Sequence, residues 1–159
     1  MRMASSGWTG VVILIAACGR GALPITGTGG GSHDLGDPNL HLAPLGGFGG
    51  DTSIVAPDTV RVGAHFTASF STGYGGCDPT DTMVEAQTGD VVRFTPYNRR
   101  FSTPGAACPT FVGFVTRSGD VVFSTPGVAT IRAIGYRGPV YSPYVDSISK
   151  TVQVVPAGP

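Results

Sequence analysis

Lysine and glutamate are almost missing from this sequence: Lys150 and Glu85 are the only ones in 159 residues. Both are good surface-helix formers, so their scarcity argues against an all-α protein. Charged residues make up only 13%, and ten basic residues cancel ten acidic ones. That balance offers no basic stripe to hold a nucleic-acid backbone, and no charged tail is present. The single tryptophan, Trp8, lies near the start, so the later part of the chain has no tryptophan core. There is no C-x-x-C pair, no G-x-S-x-G elbow, no phosphate loop and no zinc spacing. Copper electron-transfer sandwiches need two histidines, a cysteine and usually a methionine late in the chain. Here no histidine follows His65, and Met83 is the only methionine beyond Met3.

Glycine and proline, by contrast, are abundant, with 25 and 13 residues. Their distribution divides the chain into three parts: 1–17, 18–50 and 51–159. In the first, Arg2 precedes an uncharged apolar run from Trp8 to Ala17. That run is about half of the ~20 residues a membrane span needs. A positive start, a short apolar core and small residues at its end describe a secretory signal peptide.

The run ends Ile15-Ala16-Ala17-Cys18. This resembles the lipobox of bacterial lipoproteins, in which an aliphatic residue and two small residues precede an invariant cysteine. The resemblance implies cleavage before Cys18 and lipidation of Cys18 through a diacylglyceryl thioether. It implies a partner in the membrane itself, reached through the N-terminal lipid. Gly19 follows, where lipoproteins kept at an inner membrane often carry Asp. The expected location is therefore the outer membrane, if the host has one.

Residues 19–50 contain eleven Gly and three Pro, with no sustained helix or strand period. This stretch reads as a flexible tether spanning roughly 30 Å. Within it, the segment from Asp37 to Leu45 is the one part suited to docking on the domain or pairing as a short strand. His33 and His41 lie near Asp34 and Asp37, but their spacing fits no metal site. They read as polar tether residues.

From Asp51 the texture becomes that of short β-rich runs between turn signals. The expected strands are Ile54–Gly63 broken at Pro57, then His65–Thr72, Thr82–Thr88, Val91–Tyr97, Phe111–Thr116, Val121–Ser124, Val128–Tyr136 and Ser147–Val155. Gly73, Gly75 and Gly76 read as a loop, and Ser118-Gly119-Asp120 as a turn. Such spacing suggests an all-β, antiparallel sandwich of seven or eight strands. The Val121–Arg132 stretch, V-V-F-S-T-P-G-V-A-T-I-R, resembles the late-strand corner of bacterial immunoglobulin-like domains. Ala56–Gly63 with Phe66 resembles their first strands. The resemblance covers about residues 52–156 and implies an immunoglobulin-like fold without a known activity.

Export and a lipidated Cys18 leave Cys77 and Cys108 as a disulfide pair in an oxidising compartment. No catalytic group, cofactor or metal site is expected. His65 lies on an early strand opposite Phe66. Asp78, Asp81 and Asp90 sit beside Pro and Gly, as turn residues do. Calcium or carbohydrate binding is the alternative function. Arg99 and Arg100 read as solvated loop residues. The Tyr136–Tyr144 segment, with Tyr136, Arg137, Tyr141 and Tyr144, has the residue types of binding surfaces. It is the expected contact for an envelope protein or glycan. The sequence thus points to a non-enzymatic, lipid-anchored interaction or structural module.

Overall fold

The computed structural model describes residues 36–46, 52–101, 107–109, 111–137 and 143–158. The signal-like segment, Cys18, His33 and Tyr141 lie outside the described residues. The described residues form a β-sandwich of eight strands in two sheets, with no helix among them. The strands are β1 (Leu40–Leu42), β2 (Thr59–Arg61), β3 (Phe66–Gly75), β4 (Thr80–Thr88), β5 (Val91–Arg99), β6 (Val112–Val121), β7 (Gly127–Arg137) and β8 (Tyr144–Val155).

The larger sheet runs β1-β5-β7-β8-β2, with β4 on the other edge of β5. The smaller sheet is β3 paired with β6. Pairing is antiparallel for β1–β5, β3–β6, β4–β5 and β7–β8. It is parallel for β2–β8 and β5–β7. Alternation decides which residues face inward. Ala68 and Phe70 of β3 meet Val92 and Phe94 of β5, with Ile131 and Ala133 of β7 and Val152 and Val154 of β8. The Phe70 and Phe94 rings stand 5.9 Å apart at a tilted angle, a favourable aromatic geometry.

Three local expectations are corrected. Ser118-Gly119-Asp120 is no turn: all three residues lie in β6, in register with Ser69, Ala68 and Thr67. Gly119 is needed for close packing, since a Cβ there would collide with the Phe94 ring. Val121 accordingly ends β6, and Phe123 lies buried just past the strand. Gly73 and Gly75 belong to β3 rather than to a loop, opposite Phe114 and Val112.

The Asp37–Leu45 stretch is part of the fold. β1 pairs with the end of β5, and Leu40, Leu42, Ala43 and Leu45 are buried. Ala43 N–H donates to Pro96 O at 2.9 Å, and Ala43 O accepts from Tyr136 N–H at 3.0 Å. The segment thus fills the gap where β5 and β7 diverge after their parallel start. Leu45 then bridges to Thr72 of the opposite sheet. Gly135 permits this crossing, because a Cβ there would strike Ala43 O and Leu45. The folded unit therefore draws in chain on the amino-terminal side of Asp51.

Candidate functional site

Ionic side chains gather at one end of the sandwich. Arg99, at the end of β5, bridges Asp37 before β1 and Asp81 on β4. Arg100 donates to both oxygens of Asp78, at 2.9 and 3.1 Å. The two arginines read from sequence as solvated loop residues are thus ion-paired, although Arg100 stays exposed. The Asp37 carboxyl is held below its ordinary range, first by the Asn39 backbone N–H and then by Arg99. The carboxylates in turn push the Arg99 and Arg100 guanidiniums up. His41, on β1, brings Nε2 to 3.9 Å from Asp78 Oδ2. That is beyond hydrogen-bond reach, and Arg100 already occupies Asp78. The geometry is that of a bracing ion cluster rather than a proton-transfer pair.

A further arginine braces the same end from the second sheet. Arg117 of β6 donates to Asp81 O at 2.9 Å and to Tyr97 O at 3.0 Å. Burial of this guanidinium pushes its pKa down. It spans the sandwich as a clamp on two backbone carbonyls.

Beside the cluster, Cys77 and Cys108 form a disulfide with Cα atoms 5.3 Å apart, within the normal range. The disulfide lines an open cleft of about 490 Å³ with Gly75, Asp78, Arg100, Phe101, Phe111 and Val112 among its neighbours. Phe101, Phe111 and Val112 are 59%, 50% and 68% exposed. Phe111 meets Tyr74 edge-on at 6.2 Å between centroids, which fixes its orientation. A second, smaller cleft of about 320 Å³ is lined by Pro38, Leu40, His41, Arg100, Tyr136 and Pro143. Arg100 belongs to both, so apolar and ionic groups form one surface.

The sequence-expected binding residues are spread unevenly over this end. Tyr136 lies in β7 and packs on the small cluster of Leu40, Leu42 and Tyr97. Arg137 pairs with Asp146 of β8 at 3.2 Å. Tyr144, opposite Arg137 in register, is 56% exposed. Tyr141 is outside the described residues. His65 is exposed just before β3. Asp78 and Asp81 face arginines, while Asp90 sits in the β4–β5 turn, where its carbonyl accepts from Thr130 N–H. Among the described residues, no group of three His, Cys, Asp or Glu is placed to hold a metal.

Sequence reasoning passed over Phe101, Phe111 and Val112. It also treated Asp37 and His41 as tether residues. The alternation Leu40-His41-Leu42 after an Asp-Pro turn signal was the available clue to a strand.

No protein-family model matches the chain. No curated protein and no solved structure matches it either.

Proposed function

We propose that the chain is a lipid-anchored cell-envelope protein whose immunoglobulin-like sandwich is a non-enzymatic interaction module. Cys18 carries the lipid, the glycine-rich stretch after it is the tether, and the outer membrane is the destination where the host has one. The Ile15-Ala16-Ala17-Cys18 sequence supports the anchor. The Cys77–Cys108 disulfide supports an exported, oxidising setting. Support for an immunoglobulin-like build comes from a segment that changes sheets: Val55 bridges to β3, and β2 then runs parallel to β8.

The observation that carries the interaction reading is the exposure of Phe101, Phe111 and Val112 beside Arg100. Exposed aromatics next to an arginine are the residue types that dominate protein contacts. The partner is an envelope protein engaging this end. A glycan is the second reading, favoured by the second cleft, where Tyr136 lies with His41 and Arg100. The test is crosslinking in intact cells with the Phe111→Ser/Val112→Ser variant. The expected result is loss of one crosslinked protein band while the fold is kept. Retention of every band, with no binding to purified cell-wall glycan, overturns both readings.

A further inference from the structure

Each sheet edge in a sandwich is a row of unpaired backbone groups, and proteins blunt such edges with short strands, bulges and charges. Two edges here are blunted. β2 has only three residues and carries Arg61. β4 has a register break between Thr80 and Met83, and Arg117 caps Asp81 O. The edge of β6 is different. Its ten residues run in unbroken register with β3.

Which β6 groups face outward follows from the ladder. Ser69 exchanges both backbone hydrogen bonds with Val55, so its N–H and C=O point away from β6. Its register partner, Ser118, must then point its own N–H and C=O away from β3. Thr116 follows by the same argument, because Ser71 O accepts from Gly46 N–H. Alternation extends the row to Asp120. No described residue takes up these backbone groups.

Two carboxylates flank this row. Asp120 stands on the outer face, bonded to the Thr67 hydroxyl at 3.3 Å. Glu85 comes from the inner side: its Oε2 would lie 3.1 Å from a Cβ at Gly119. Neither has a cationic partner among the described residues. Burial, then the Asp120 charge, pushes the Glu85 pKa up, as befits an uncompensated pair.

We infer that the free edge of β6 accepts an extended segment of a partner protein that carries two adjacent basic residues. Successive side chains of an added strand point to opposite faces. One basic residue therefore meets Asp120 and the next meets Glu85, while backbone bonds to Thr116, Ser118 and Asp120 supply the rest. This surface is separate from the cleft beside the disulfide and does not depend on the lipid anchor.

The test uses the full chain and a capped ten-residue peptide of alternating valine and threonine around a central Lys-Lys pair. Amide hydrogen exchange and NMR shifts are read with and without peptide. The expected result is slowed exchange at Thr116, Ser118 and Asp120. Binding should weaken about tenfold in Glu85→Gln/Asp120→Asn, and be lost with a Glu-Glu peptide and in Ser118→Pro. Should Ser118→Pro fail to fold, the Glu85→Gln/Asp120→Asn variant decides alone. Equal binding of the Lys-Lys and Glu-Glu peptides overturns the inference. So does slow exchange at these amides without peptide, whether concentration-dependent, as for a second copy, or independent of concentration.

Discussion

Removing the disulfide by Cys77→Ala/Cys108→Ala acts on the unfolded chain as much as on the cleft. The sequence separation is 31 residues, and the closed loop contains all of β4 and β5. A loop of that length restricts the unfolded ensemble by about 3.7 kcal/mol at room temperature in the chain-entropy treatment. For a sandwich of this size that corresponds to roughly 10–20 °C in Tm. Urea unfolding followed by far-UV circular dichroism gives the free-energy loss directly, and the m value should rise as the unfolded chain expands. Native-state hydrogen exchange then separates two mechanisms. A constraint on the unfolded state lowers the protection of the Val92 and Ile131 amides, deep in the large sheet, by the same full amount. A purely local brace lowers protection only around Phe111 and Val112, beside the cleft. A loss under about 1 kcal/mol, or one confined to the cleft, refutes the loop-closure reasoning.

The remaining predictions concern packing and charge. Gly119→Ala and Gly135→Ala each force a Cβ into the neighbours that meet there. Each should cost about 1–3 kcal/mol in urea unfolding, and Gly135→Ala should also speed proteolysis within the Asp37–Leu45 segment. Arg117→Met strips hydrogen bonds from Asp81 O and Tyr97 O, and should cost about 1–3 kcal/mol; an unchanged midpoint would show that water replaces the clamp. Glu85 has its pKa raised in the folded state, first by burial and then by Asp120. A raised carboxylate disfavours folding once pH climbs above its unfolded value. Glu85→Gln should therefore stabilise the protein near neutral pH and make no difference in acid, where both states are protonated. The opposite sign holds for Asp37, whose folded pKa is lowered. Its contribution is present above the unfolded value and fades as pH falls through the folded one, so Asp37→Asn should flatten the acid limb of a stability–pH curve.

Much of the sandwich was legible because period-two alternation survives in the sequence. His65–Thr72, Val91–Tyr97 and Val128–Tyr136 lie close to β3, β5 and β7. The cysteine pair was legible too, once Cys18 had been set aside. What misled was glycine. Ser118-Gly119-Asp120 has the composition of a turn, yet Gly119 is small because Phe94 packs on it. Only the tertiary contact separates those two uses of one residue. β1 was legible in part: Asp37–Leu45 stood out as the one piece of the glycine-rich stretch suited to pairing as a short strand, but three residues carry too few repeats to fix which strand it joins. With the partner of β1 open, Asp37 and His41 could not be placed beside Arg99, Arg100 and Asp78. The cleft was hidden as well, since Phe101, Phe111 and Val112 meet only in the fold, where Val112 pairs with Gly75 and Phe101 N–H donates to Cys77 O.

The membrane attachment is the claim on which the functional account depends most, and mass spectrometry of the mature amino-terminal peptide tests it directly. The expected mature chain begins at Cys18, with a diacylglyceryl thioether on the cysteine and the protein in the membrane fraction. In Cys18→Ser the modification and the membrane association should both disappear. A mature protein that keeps residues 1–17, or an unmodified Cys18 with unchanged membrane partitioning of the Cys18→Ser variant, would contradict it.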